Sequence, residues 1–299
     1  MFQQVLIAGV GALGSEVAKN VGLLGSKSVF IADPDIVEPR NIGHSVLLCQ
    51  APVIGQSKVS QALDRLRTWF PRTDWNGDSV EIADVDSQQF SKAEILFGCV
   101  DTDLARTEIA ALSARFGLPV CDAGLGGTST RVGRVSWLPG AQRSACFACL
   151  LTNRRRAMLL NLWESDVHAC WARNPAEECA DWTTTPTMAS IIAGLQVELA
   201  LSASKNRDTD AFSLRLDLDY PSVSETIRHL RSPGCPLHDD VPEDLFPICT
   251  LAECMSCGNM YVPGQRIGWV RRRGACPSCG SRELTIRESS RGQLARSSS

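Results

Sequence analysis

Short apolar runs set the rhythm of the first 140 residues. Val5 to Ala8, Val29 to Ala32 and Ile95 to Val100 are continuous apolar stretches of strand length, the pattern of strands covered on both faces, and another strand is expected at Pro119 to Asp122. Between them the spacing turns helical: Ser15 to Leu24 carries Val17, Val21 and Leu24 on one stripe, and Lys58 to Phe70 and Leu104 to Phe116 follow the same period. A further strand is expected near Val80 to Ile82. Strand and helix alternating in this way predict an α/β fold, a Rossmann-like doubly wound sheet with helices on both faces.

Later segments change character. Val132 to Leu138 and Leu214 to Leu218 read as strands, the second with Leu214, Leu216 and Leu218 alternating against charged neighbours, and they predict an antiparallel extension of the sheet. Leu151 to Pro186 is irregular and too long for a plain connection, which marks it as a functional loop. Met188 to Ala203 is an apolar helix interrupted by Gln196 and Glu198, so it is not expected to cross a bilayer. Three units are expected: residues 1–245, a small unit at 246–288 and a polar tail at 289–299.

Composition narrows the function classes. A 299-residue chain with 44% hydrophobic and 21% charged residues and a formal charge of -3 does not suggest bulk affinity for nucleic acid, and its start, "MFQQVLIAGVG", is not expected to be a signal peptide. A cytoplasmic protein is expected, with neither membrane nor nucleic acid as partner. Thirteen cysteines are many for that compartment, where closely spaced pairs are metal ligands or catalytic thiols rather than disulfides.

Gly9, Gly11 and Gly14 form G-x-G-x-x-G between a strand and a helix, which lets backbone approach a phosphate at a helix N-terminus. Asp33 ends the second strand, where a carboxylate can take ribose hydroxyls. So far an NAD enzyme fits as well as an ATP enzyme, and the glycines alone also fit a tight turn in a core.

The segments "DPDIVEPRNIGHSVLLCQAPVIGQSK" and "CVDTDLAR" separate these alternatives. With the glycine turn they resemble the ThiF/MoeB/HesA family, which includes the catalytic cores of ubiquitin-activating enzymes, over roughly residues 5–240. Asp33, Asp35, Val37, Glu38, Asn41, Lys58, Asp101 and Arg106 match the family's motif positions, while His44 stands where the family has arginine. The resemblance implies ATP with magnesium: Lys58 and Asn41 toward the phosphates, Asp33 on the ribose, Asp101 on the metal, and Asp35, His44 and Arg106 in the same nucleotide site. It also implies a dimer in which an arginine reaches the site in trans. This chain opens directly at its first strand, so the expectation is either a partner chain that supplies that arginine or weakened catalysis.

Cys146, Cys149, Cys235 and His238 form two C-x2-(C/H) knuckles at places where the family carries paired C-x-x-C knuckles, a tetrahedral zinc set. Cys254, Cys257, Cys276 and Cys279, spaced C-x2-C-x18-C-x2-C, signal zinc without any family argument and predict a small ribbon. Residues 151–186 correspond to the family's crossover loop, in which Cys179 matches the thioester nucleophile and Cys170 competes for that role. The implied activity is adenylation of the C-terminal carboxylate of a ubiquitin-like protein followed by thioester formation, with a conjugating protein as a further partner. Sulfur-carrier adenylation and a non-catalytic half of a split enzyme remain alternatives.

Overall fold

The structure is a computed structural model that describes residues 1–49, 54–126, 131–140, 144–152, 184–204, 210–220, 225–232, 235, 250–257, 260–261, 281 and 284–288. Its centre is an eight-stranded mixed sheet. The parallel half comprises β1 (Gln4–Ala8), β2 (Ser28–Ala32), β3 (Asp74–Asp78), β4 (Ile95–Gly98) and β5 (Val120–Leu125). The antiparallel half adds β6 (Val132–Leu138), β7 (Phe212–Asp217) and β8 (Glu225–Arg228), in the order β3-β2-β1-β4-β5-β6-β7-β8.

Helices α1 (Ala12–Leu23) and α2 (Lys58–Trp69) and the long α6 (Pro186–Ser204) bury one face of the sheet; α3 (Ser87–Lys92), α4 (Asp103–Phe116) and the one-turn α5 (Phe147–Leu150) cover the other. Two apolar clusters result. Val5, Ile7, Val17, Val21, Ile192 and Val197 fill the first, and Leu6, Phe30, Phe90, Leu112 and Val120 the second. Alternate residues of β1 thus serve opposite layers, which is why this strand is apolar throughout. Among the described residues α6 alone is long and apolar enough to cross a membrane by length and composition. Here it packs against α1, β5 and β6, with Met188, Ile192 and Val197 in the core.

The third parallel strand is not at Val80 to Ile82 but at Asp74–Asp78, and Ile82–Asp84 is a 3-10 turn. As the outermost strand, β3 pairs with β2 on one side only and buries little beyond Trp75. One inward aromatic anchors an otherwise polar edge, so the apolar-run signal is missing. Val80 and Ile82 instead pack into the second cluster.

A separate three-stranded antiparallel sheet joins β9 (Thr250–Cys254), β10 (Met260–Tyr261) and β11 (Leu284–Glu288). Cys254 ends its central strand and Cys257 is exposed in the following turn. Cys276 and Cys279 lie outside the described residues, as does residue 238.

Candidate functional site

The chain runs from β1 outward through β2 and β3, then returns to β4 on the other side of β1. That reversal leaves a crevice beyond the carboxyl ends of β1 and β4, the place where open α/β sheets take ligands. The glycine turn closes one side of it. Gly9 has φ +89°, and its N–H donates to Ala32 O at 2.8 Å. A Cβ on Gly9 would sit 2.6 Å from Cys99 O, and one on Gly14 would sit 1.9 Å from Gly9 O. These two glycines are required by the fold itself. Gly11 differs, because a Cβ there would meet no atom within 4 Å. At the N-cap of α1 it leaves open space over the helix N-terminus, where backbone N–H groups favour an anion.

Asp33 is buried beneath this turn. Its two carboxylate oxygens accept from Val10 N at 2.7 Å and Asp35 N at 2.9 Å. Burial pushes its pKa up, while the Val10 hydrogen bond and the Lys58 charge pull in the opposite direction. Beyond Asp33 the chain folds back on itself: Val37 N donates to Gln56 O at 2.7 Å, Gly55 N to Val37 O at 2.9 Å and Lys58 N to Asp35 O at 3.0 Å. This local ladder carries the first residue of α2 to the crevice. Lys58 Nζ then reaches Asp35 Oδ2 at 2.7 Å, the lysine side chain 10% exposed and the aspartate 62%. Asn41 Oδ1 accepts from Glu38 N at 2.7 Å, which turns the carboxamide nitrogen to other partners, and the half-buried His44 follows one turn later.

On the β4 side, Asp101 is exposed and Thr102 caps α4, its Oγ1 accepting from Ala105 N at 3.2 Å. Arg106, expected beside the nucleotide, turns its guanidinium to Val100 O, Asp122 and Ala123 O. Gln196 was not singled out as a site residue. From α6 its Nε2 donates to Gly98 O at 3.1 Å and Cys121 O at 2.6 Å, which binds the crossing helix to the carboxyl end of β4 and to Cys121 of β5. The sequence signal for it is a lone amide in an apolar helix, since such an amide must find partners once buried.

The cysteine knuckle forms on the opposite face of the sheet. Cys146 Sγ lies 3.8 Å from Cys149 Sγ and 3.7 Å from Cys235 Sγ, although 89 residues separate the latter pair. Four thiolates about 2.3 Å from a tetrahedral zinc stand about 3.8 Å apart, so the three sulfurs fit that ion. Without it, hydrogen bonds that the protonated Cys146 thiol shares with Cys149 and Cys235, together with burial, push that thiol well up, an effect that a bound cation inverts. We expect two zinc ions per chain by elemental analysis of the purified protein, and one after Cys149→Ser; a wild-type value near one removes a site.

Residues 2–237 match the model of the ThiF family. The chain belongs to the ThiF family. It is 26% identical over 149 residues to SUMO-activating enzyme subunit 2 of Dictyostelium discoideum, 49% of this chain but only 22% of that protein. With the sulfur carrier protein ThiS adenylyltransferase of Escherichia coli K12 the identity is 21% over 240 residues, 78% of this chain and 85% of that one. The solved structure of E. coli MccB with ATP shares the fold at a TM-score of 0.59 and 15% identity, over 79% of this chain and 66% of that one. This ThiF-family chain therefore spans about a fifth of the SUMO-activating subunit's length, while its α/β core with a mixed sheet matches the family's solved structures.

Proposed function

We propose that this chain binds ATP with magnesium in the β1/β4 crevice, adenylates the C-terminal carboxylate of a ubiquitin-like protein and passes the acyl group to Cys179. The observation that carries the reading is the convergence, at one switch point, of an open helix N-terminus at Gly11, a buried Asp33, a nearly buried Lys58 and an exposed Asp101.

The roles follow from the chemistry. One carboxylate oxygen of the substrate attacks the α-phosphorus, the bond to the β-phosphate oxygen breaks, and pyrophosphate leaves. Negative charge moves onto the leaving group, so a preoriented cation and N–H donors there lower the barrier. Lys58 supplies the cation, the α1 N-terminus and Asn41 the donors, and Asp33 accepts from the ribose hydroxyls. Asp101 offers oxygen ligands to magnesium, which when bound neutralises phosphate charge. Asp35 is mostly solvated, so Lys58 can exchange that partner for phosphate at little cost. In the second step the Cys179 thiolate attacks the mixed anhydride's carbonyl carbon, a thioester forms and AMP leaves.

Cys179 and Cys170 lie outside the described residues. The experiment is ATP–pyrophosphate exchange with candidate ubiquitin-like proteins, followed by non-reducing gels. Cys179→Ala should retain exchange and lose the reducible adduct, whereas Cys170→Ala should retain both. An adduct that persists in Cys179→Ala and vanishes in Cys170→Ala moves the nucleophile; no adduct from any variant ends the reaction at the adenylate. That last outcome is the second reading, adenylation of a sulfur carrier, favoured by the near full-length match to the ThiS adenylyltransferase.

A dimer is part of the proposal, with a partner supplying an arginine in trans; separately, His44 stands as a weaker substitute for the family's motif arginine. The three-stranded sheet at residues 250–288 is proposed as a zinc ribbon that recruits the modifier or a conjugating protein. The cytoplasmic setting is likewise a proposal.

A further inference from the structure

Arg106 is placed to do something other than touch phosphate. Its side chain is 11% exposed, and its guanidinium is engaged on several sides. Nη2 donates to Val100 O at 2.7 Å and to Ala123 O at 3.4 Å, Nε donates to Asp122 Oδ1 at 3.2 Å, and Nη1 lies 3.7 Å from Asp103 Oδ1. The guanidinium carbon stands 6.0 Å from the ring centroid of Phe147. Val100 precedes Asp101 and Asp103 follows it by two, so one rigid group holds the turn on both flanks.

Its other contacts lie on parts of the molecule that cannot drift. Asp122 is buried in β5, where burial raises its pKa and Arg106 opposes the rise. A Cβ on Gly124 would come within 3.2 Å of Arg106 Nη2, so β5 carries no side chain there and leaves room for the guanidinium. Phe147 belongs to α5, between the knuckle thiols Cys146 and Cys149. The exposed acidic turn, the buried end of β5 and the cysteine knuckle therefore meet at one side chain.

We propose that Arg106 is a positioning residue: it presents Asp101 to the magnesium of the bound nucleotide by bracing the turn against β5 and the cysteine knuckle. The role rests on the ATP and magnesium reading above. Lysine cannot reproduce it, because a single ammonium cannot span Val100, Asp122 and Asp103 at once as a planar fork does.

Calorimetry on the full chain, with ATP alone and with ATP plus Mg²⁺, tests this alongside hydrogen exchange of the backbone amides at 99–105. Each 1.4 kcal/mol is tenfold, and charged hydrogen bonds are worth about that much, so Arg106→Lys should raise the half-saturating Mg²⁺ concentration about tenfold. Metal-free ATP affinity should stay at the wild-type value, and the 99–105 amides should exchange faster. Equal weakening with and without Mg²⁺ would make Arg106 a phosphate contact and overturn the proposal, as would an unchanged Mg²⁺ dependence. Should Arg106→Lys fail to fold, Phe147→Leu keeps the guanidinium but removes its aromatic backing. It should shift Mg²⁺ half-saturation about threefold in the same direction, since a cation–ring contact is worth about half as much, and no shift overturns the proposal. A wild type that binds no ATP overturns the nucleotide reading instead, and exchange at 99–105 in Arg106→Lys then decides the bracing role by itself.

Discussion

Lys58→Ala lowers the rate of ATP–pyrophosphate exchange by about 10²–10³-fold, the cost of removing one preoriented charge donor from a transition state, and leaves the fold standing. The two halves of that expectation come from the same ion pair. Lys58 Nζ is nearly buried beside the crevice, so its charge acts where water screens little. Asp35 is 62% exposed, so losing its partner returns a carboxylate to water rather than stranding it in a core. Pyrophosphate exchange and thermal unfolding measured on one preparation separate the effects. Exchange at the wild-type rate in a folded variant would remove Lys58 from the chemistry, whereas a large drop in melting temperature would make it a structural residue.

Gly14→Ala has its expected effect on stability instead. The new methyl would lie 1.9 Å from Gly9 O and 2.8 Å from Gly9 C, both backbone atoms. Gly9 cannot retreat, because it bonds Ala32 O and is itself packed against the Cys99 carbonyl. Overpacking against a fixed backbone costs about 3 kcal/mol or more, which for a domain of this size lowers the melting temperature by roughly 6–12 °C. Gly11→Ala is the paired control. It meets no protein atom and sits at φ -69°, so it should cost less than about 1 kcal/mol of stability while weakening ATP binding by occupying space over the helix N-terminus. Calorimetric melting and nucleotide titration of both variants check the contrast. Equal melting temperatures for the two would refute the account of the turn, and unchanged ATP affinity in Gly11→Ala would move the nucleotide elsewhere.

Much of the central fold is legible along the chain because its signals are local. β1, β2 and β4 are continuous apolar runs with helices of regular period between them, and their short length and β-branched residues mark them as strands buried on both faces. The start of α2 is legible too, since Ser57 accepts from Ser60 N just before Lys58. Elements stabilised by one inward residue escaped. β3 shows only Trp75, α3 only Phe90, and β8 no buried residue at all. Their place comes from pairing or from a single anchor, neither of which leaves a periodic trace.

At the site the same division appears. The amino-acid order by itself specifies a glycine turn, the family's acidic and basic motif positions and the cysteine pairs, because each is a matter of residue type at short spacing. Only the tertiary structure decides which glycine serves the fold and which leaves space for a ligand, since that depends on whether Cys99 and Gly9 backbone or nothing stands opposite. It also decides that Cys235 meets Cys146 across 89 residues and that Gln196 in α6 joins β4 to β5. Arg106 shows the difference most plainly. Its position in the motif is a property of the chain, but its partners on β5 and α5 come from parts of the chain distant in sequence. The direction in which a guanidinium spends its hydrogen bonds is set by whatever acceptors the packed layers bring to it, and linear order carries no record of those.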